Sequence, residues 1–515
     1  MVKTVWRWAT VLGGVVILTT VWLGLSPLVA GAALAVYESG IASDQEYREV
    51  VFITGEPLLL SGELKVSLGR EKNNAVTNTY YYKLSNAAGD VKLTRRLTLT
   101  TTRETTRQQT VEVTRLDKIT ETITVTRGKV KDTYVLKDNA YQFHKSVVTD
   151  HQAAVDYFSG NWNGRKVYTI NKDEGEAVVE LTGSTVGYSH YWGSTETQLV
   201  DYYLETDRLS ATSGGARNRW TGTAQVKLAL NRTKDLTYVP NEPTPISFRG
   251  GYLQTEQEEN VLQYTYDLPC FSDGAVMSGR RNQGEDSFKL LSVPTQKRLP
   301  VATIRDIGGH WAEDDIARLA SLGVFQDTTY FGPTLPMPRA EFARALALLT
   351  NMVPAPGPAV KQITLAASKP TSSASPAPAA AVPFVDVPPG HPYYQYIVEV
   401  EKRGVMQGAS NCFFPDGALT RAEAVTTLIR ALGFAGLAPA TGYRTTYLDD
   451  TEIPIWAVDA IYLATEFGLI QGDRGYVYPN ERMTRAEAAA FLNRFITFLQ
   501  RDLKEHYRER VIYQH

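Results

Sequence analysis

At 515 residues the chain is long enough for several domains and a sizeable buried core. Lys plus Arg number 53 and Asp plus Glu 55, so a formal net charge of −2 creates no global field toward nucleic acid, and no nucleic-acid partner is expected. The two cysteines, Cys270 and Cys412, fall in different segments, form no disulfide framework and read as unpaired.

Lys3 and Arg7 precede an apolar run from about Ala9 to Ala35. Ala30-Gly31-Ala32 and Ala33-Leu34-Ala35 offer the small-x-small pattern of signal-peptide cleavage, so residues 1–35 read as a signal peptide and the remainder as exported. The run is also long enough to cross a bilayer core of about 30 Å, so the membrane becomes a partner only if the run is retained.

Residues 36–300 are rich in Thr, Val and Tyr and lack helical periodicity. Val91-Lys92-Leu93, Leu97-Thr98-Leu99, Thr110-Val111-Glu112-Val113 and Thr122-Ile123-Thr124-Val125 alternate apolar and polar residues, the mark of strands with one wet face. Asn73-Asn74, Ala88-Gly89-Asp90, Gly160, Asn163-Gly164, Gly175 and Gly214-Gly215 read as turns. With no helical crossovers for a parallel sheet, the expectation is an antiparallel sandwich or long twisted sheet, with two subdomains meeting near residue 160.

After residue 300 one ordered motif recurs three times. Its opening is Ile304-Arg305-Asp306, Phe384-Val385-Asp386 and Tyr447-Leu448-Asp449. A helix start follows at His310-Trp311-Ala312, His391-Pro392-Tyr393-Tyr394 and Pro454-Ile455-Trp456-Ala457. A glycine turn comes next, at Leu322-Gly323-Val324, Gly404-Val405-Met406-Gln407-Gly408 and Gly468-Leu469-Ile470-Gln471-Gly472. Then come Phe331-Gly332-Pro333, Phe414-Pro415 and Tyr478-Pro479, and last Pro338-Arg339-Ala340-Glu341, Thr420-Arg421-Ala422-Glu423 and Thr484-Arg485-Ala486-Glu487. Trp311 to Arg339 is 28 positions, Pro392 to Arg421 is 29 and Trp456 to Arg485 is 29. Repetition at this period marks a supersecondary unit that buries its apolar face only against its neighbours.

Each unit reads as helix–loop–helix. Ala457, Ile461 and Ala464 form one helical stripe, and Gly468 stands where a helix ends in a left-handed residue. Thr484 with Glu487 and Thr420 with Glu423 have capping-box spacing, whereas Pro338 starts a helix without a hydroxyl cap. Ala488, Phe491, Leu492, Phe495 and Ile496 form the stripe of a second helix. The units occupy residues 301–352, 382–436 and 445–500. The Pro/Ala/Ser-rich segment 353–381 separates the first two as a semi-extended tether, and residues 501–515 read as a charged, solvated continuation of the last helix.

These motifs resemble the S-layer homology module, a wall-anchoring repeat of bacterial envelope proteins, over under a third of the chain. The resemblance implies a pseudo-threefold all-α bundle whose grooves bind a pyruvylated secondary cell-wall polysaccharide. A guanidinium offers paired donors to a carboxylate, and a helix N-terminus offers free amides and positive potential. On that basis the candidate polymer-binding residues are Arg339, Arg421 and Arg485 at helix starts and Trp311 and Trp456 as ring platforms. Asp306, Asp386 and Asp449 join them as sugar ligands or braces for the arginines, and Gly408 and Gly472 as points of close backbone approach. The aspartates also suit a cap on the first helix, and the tryptophans a core role. Asp327 stands in place of the first unit's turn glycine and would repel an anion. In the second unit Pro392 replaces Trp, with Tyr393 and Tyr394 as partial substitutes. The third unit keeps every element, which makes Trp456, Gly472 and Arg485 the leading groove.

No catalytic residue, metal ligand or cofactor is expected. His-Glu-x-x-His and Gly-x-Ser-x-Gly are absent, and His144, His151 and His190 have no metal-ligand spacing. Asp156, Glu180, Glu196 and Asp201 are present, but a glycosidase pair is defined only in space. Asn161-Trp162-Asn163-Gly164 and Gly187-Tyr188-Ser189-His190-Tyr191-Trp192-Gly193 form the best candidate contact surface of the β-region, with core packing the favoured alternative. The reading is a non-catalytic secreted protein held at the cell wall, displaying a β-region that joins a surface layer through lateral self-association, adheres, or binds glycan. A wall-anchored carbohydrate-active enzyme is the alternative.

Overall fold

The computed structural model describes residues 40–209, 217–240, 251–272, 275–300, 303–325, 329–353, 384–439 and 443–504. The expected signal segment, nearly all of the Pro/Ala/Ser segment, the Gly214-Gly215 turn, Asp327 and the tail beyond residue 504 lie outside the described residues.

The first half of the β-region comprises β1 (Gly40–Ala42), β2 (Tyr47–Val51), β3 (Leu58–Ser67), β4 (Ala75–Ser85), β5 (Val91–Thr105), β6 (Gln109–Arg127), β7 (Val130–Leu136) and β8 (Gln142–His151). It continues with β9 (Val155–Ile170), β10 (Gly175–His190), β11 (Gly193–Leu209), β12 (Arg217–Val239), β13 (Gly251–Ser272), β14 (Ala275–Leu291) and β15 (Thr295–Pro300). These strands form one antiparallel sheet in near-sequential order, with β7 and β8 lying end to end between β6 and β9, and β14 and β15 both pairing β13. β9 passes through residue 160 without a break, so the expected subdomain boundary is absent. Gly160 and Gly164 sit inside that strand rather than in turns: a Cβ on Gly160 would lie 2.4 Å from the Ser146 carbonyl. Asn73-Asn74 and Gly89 do turn the chain, all with positive φ.

The sheet folds back on itself. Phe52, just past β2, has its ring 5.7 Å from Tyr202 of β11 and 5.9 Å from Tyr264 of β13, and Asn260 Nδ2 donates to the Ala42 carbonyl at 2.8 Å. The enclosed side holds the inward residues of the alternating strands, among them Leu93, Leu97, Ile123, Val226 and Leu262. Four of the buried positions carry charges instead, centred on Arg95. Arg95 pairs with Glu49 at 2.9 Å and Glu121 at 2.7 Å, and Lys166 reaches Glu121 at 2.9 Å, all four side chains being buried. Burial pulls the Glu121 carboxyl upward, but Arg95 and Lys166 overcome it and hold it well below the usual range.

The helical part contains α1 (Glu313–Ser321), α2 (Arg339–Leu349), α3 (Tyr394–Lys402), α4 (Arg421–Leu432), α5 (Val458–Glu466) and α6 (Arg485–Thr497), two helices per unit. Gly323, Gly404 and Gly468 follow the three first helices with φ of 71°, 72° and 68°. Thr420 and Thr484 make full capping boxes with Glu423 and Glu487, while Pro338 makes no side-chain cap. The units close into a ring through backbone bonds. The Leu419 amide donates to Met337, the Met337 amide to Met483 and the Met483 amide to Leu419, at 2.8, 2.8 and 2.9 Å.

The ring and the sheet share one core. Trp192, in the β10–β11 turn, is 1% exposed and packs with Ala153, Ala154 and Tyr188 among residues of all three helical units. Its Nε1 donates to the Leu349 carbonyl, the Ala154 amide donates to Ala431, and Tyr157 Oη donates to Leu432. Trp162 is also buried, lying over Gly183 of the neighbouring strand. In both aromatic segments Trp162, Tyr188 and Trp192 therefore pack inward, the favoured of the two readings. After α6 the helix widens into a π-helical turn at Phe498–Asp502, where Phe498, Leu499 and Leu503 enter the shared core while Arg501 and Lys504 stay exposed.

Candidate functional site

Each unit's opening aspartate is committed to its own unit. Asp306 accepts from the Phe331 and Gly332 amides at 2.8 and 2.6 Å, and Asp386 from Phe413 and Phe414 at 2.9 and 2.7 Å. Asp449 accepts from Val477 and Tyr478 at 3.0 and 2.7 Å. Two consecutive amides converge because the second residue of each pair is left-handed, with φ of 67° at Gly332, 58° at Phe414 and 51° at Tyr478. An aromatic residue there stores local strain, which the carboxylate overrides. Burial raises the Asp306 and Asp386 carboxyls, but the amide pairs outweigh it and hold both below the usual range. None of the three aspartates caps a first helix or hydrogen-bonds an arginine, which corrects the expected roles of cap and arginine brace; the link spans 25 residues or more and leaves no local signal.

The arginines cross between units. Arg339 of the first unit pairs with Glu423 of the second at 2.6 Å, Arg421 of the second with Glu487 of the third at 3.0 Å, and Arg485 of the third with Glu341 of the first at 2.6 Å. Glu423 and Glu487 thus serve both their own cap and the neighbour's guanidinium. The helix-start amides cross as well. Arg339 and Ala340 donate to Gly417 and Pro415, Arg421 and Ala422 to Glu481 and Pro479, and Arg485 and Ala486 to Leu335 and Pro333. The free amides expected at these helix starts are therefore already satisfied by the next unit.

The three arginines are not equivalent. Arg339 gives Nε to the Phe413 carbonyl, one terminal nitrogen to Glu423 and the other to the Gln407 carbonyl, beside Gly408, and lies over the Phe413 ring. Arg485 lies over the Phe331 ring at 4.7 Å. The unit that Arg421 reaches has Val477 in place of that aromatic, and Glu487 is the one side-chain partner of Arg421 among the described residues. Side-chain exposure follows: 11% for Arg339, 16% for Arg485 and 29% for Arg421. Because each arginine reaches the next unit, Arg485 faces the first unit and not the Trp456 and Gly472 of its own, so the expected grouping of those three is redistributed.

Trp311 and Trp456 are 65% and 50% exposed, outside the core, while Tyr393 and Tyr394 are half-buried. Gly408 and Gly472 are required by their own turns: a Cβ would meet the Phe384 ring at 2.4 Å and the Tyr447 ring at 2.6 Å. Their small size is used within the unit, a different reason from the expected approach to ligand.

Of the β-region carboxylates, Asp156 binds His151 at 2.9 Å, Glu196 accepts from Thr185 and Gln198, and Glu180 and Asp201 lie on the outer face of the sheet. No group of three His, Cys, Asp or Glu residues among the described residues suits a metal ion.

The family model of the S-layer homology domain matches residues 303–343, 383–425 and 446–489. The chain is 24% identical over 398 residues to an amylopullulanase of Thermoanaerobacterium thermosulfurigenes, covering 72% of this chain and 19% of that protein. It is 26% identical over 234 residues to exoglucanase XynX of Acetivibrio thermocellus, covering 44% and 19%. The S-layer protein sap of Bacillus anthracis is 28% identical over 185 residues, covering 36% and 20%. The chain thus spans about a fifth of the length of these curated relatives. Three matched repeats, closed into a ring by reciprocal bonds, make this chain a cell-surface protein that carries S-layer homology domains and is anchored through them at the cell wall.

Proposed function

We propose that the protein is a non-catalytic wall-anchored display protein, binding an anionic, pyruvylated secondary wall polysaccharide chiefly where Arg421 crosses onto the third unit. The carrying observation is the guanidinium of Arg421, the most exposed of the three and held by one carboxylate, which leaves donors for a ligand carboxylate. Arg339 touches the Gln407 carbonyl next to Gly408, and the same step around the ring carries Arg421 toward Gln471 and Gly472. Asp449 braces that loop and Trp456 supplies an exposed ring. Trp311, Asp306 and Arg485 make a second groove, whose guanidinium is less exposed than that of Arg421. The groove of Arg339, Asp386 and Gly408 is the least available, because its guanidinium is saturated.

The β-region then stands outward as a surface-layer, adhesive or scaffold element. A second reading, a wall-anchored carbohydrate-active or glycan-binding protein, is favoured by the amylopullulanase and exoglucanase among the relatives. The test is retention of the full chain on purified sacculi before and after removal of pyruvyl groups. Retention should vanish with the pyruvyl groups, and Arg421→Ala should weaken it about tenfold or more while Arg339→Ala changes it little. Equal effects of the two substitutions would refute the groove assignment.

A further inference from the structure

An open cleft of about 820 Å³ lies on the outer face of β10–β14, opposite the folded-back interior. Its floor consists of two adjacent cross-strand rows. In one, Thr182, Asp201, Gln225, Thr265 and Glu285 are directly paired from strand to strand. In the other, Glu180, Tyr203, Thr223, Asp267 and Gln283 are paired the same way. The rows are two residues apart on every strand, so they share one face, while Leu181 and Ala224 between them and Val200, Leu204 and Val226 beside them point inward and are buried. Five strands span about 19 Å, room for several sugars in series. Counted along β10 and β11 from the turn that meets the helical units, the cleft lies roughly 30 Å from that junction.

The lining is oriented before any ligand arrives. Gln225 Nε2 donates to Asp201 at 2.8 Å and Gln283 Nε2 to Asp267 at 3.1 Å, while Arg165 and Arg281, at the rim, fix Glu180 and Asp267. Hydroxyls, amide carbonyls and carboxylate oxygens remain facing solvent, a mixture of donors and acceptors suited to sugar hydroxyls that both give and receive. Tyr203 adds an aromatic ring, 44% exposed, within the same rows. Four carboxylates line the floor and no cation does, so a polyanion is disfavoured here, the reverse of the arginine grooves of the helical ring.

We propose that this cleft binds a neutral polysaccharide laid across the strands, with Tyr203 as the ring platform and Gln225 and Asp201 as hydroxyl ligands. The assignment deepens the glycan-binding reading given above and is independent of the Arg421 groove. The test is affinity electrophoresis of the full chain in gels containing soluble starch or soluble xylan. At least one polysaccharide should retard the protein. Tyr203→Ala and Gln225→Ala should weaken that retardation about tenfold or more, Tyr203→Phe should retain it, and Arg421→Ala should leave it unchanged. Both cleft side chains are exposed, so the variants should fold, which circular dichroism checks. Absence of retardation in both gels overturns the proposal, as does unaltered retardation of Tyr203→Ala and Gln225→Ala. Loss of retardation in Arg421→Ala overturns it too, by moving the glycan to the helical grooves. Sacculus retention of Tyr203→Ala, measured alongside, reports separately on the wall anchor.

Discussion

Nε1 of Trp192 donates to the carbonyl oxygen of Leu349 at 2.8 Å, joining the tip of a β-hairpin to the last residue of α2. The indole is buried there, so its removal leaves a cavity as well as an unpaired carbonyl. Trp192→Ala should cost about 3–5 kcal/mol. Calorimetry should show one transition in the parent chain and separate sheet and helix transitions in the variant. Trp192→Phe, which keeps most of the packing, should cost about 1–3 kcal/mol for the stranded carbonyl.

Arg95 stands between two buried glutamates on the inward face of β5. Arg95→Leu leaves Glu49 and Glu121 without it, and breaking such a buried pair from one side costs about 3–5 kcal/mol. Urea denaturation should show the loss, and adding Glu49→Gln to Arg95→Leu should recover part of it, because Glu121 keeps Lys166.

His190 lies under the same junction, stacked on Tyr188 and accepting the Trp192 amide through Nδ1. Burial, with Arg232 and Lys234 adding to it against a backbone bond to Leu499, pushes its pKa down to about 3. The unfolded chain binds this proton near pH 6.5 and the folded chain only near 3, so stability falls as pH drops through that window, by up to about 1.4 kcal/mol per unit. Asp306, Asp386 and Glu121 have depressed values, so their stabilisation is complete above about pH 4 and is lost only below it. Melting temperature should therefore decline between about pH 6.5 and 4 in the parent and stay flatter there in His190→Gln.

Thr484 closes a capping box at the start of α6, and Thr484→Ala should cost about 1 kcal/mol in thermal unfolding. The first unit has no such bond, so Pro338→Ala should lack that loss.

The helical units were legible because their information is local. Thr484 and Glu487 lie three apart, Gly468 ends its helix, and the stripe of Ala488, Phe491 and Leu492 is buried as its spacing requires. The strands were legible for the same reason, as Val91, Leu93, Leu97 and Leu99 alternate inward. What escaped depends on partners far along the chain. Arg95 interrupts an apolar row; Glu121 is its cross-strand partner on β6, and Glu49 reaches it from β2, 46 residues away. The aspartates serve amides 25 to 29 residues away, and the arginines reach a neighbouring unit, which the repeat period alone does not specify. Gly160 and Gly164 looked like turns because glycine marks both turns and close strand contacts.

The junction joins the sheet to the ring at several places. Trp192 bonds to the first unit, Ala154 and Tyr157 bond to the second, and Gln500, at the end of the third, donates to the Lys234 carbonyl of β12. Mechanically this is attachment in parallel. A pull on the β-region is divided among separate links and shared around a closed ring. Rupture then requires several bonds to fail together, so shear flow meets a joint that resists peeling even where each hydrogen bond is weak.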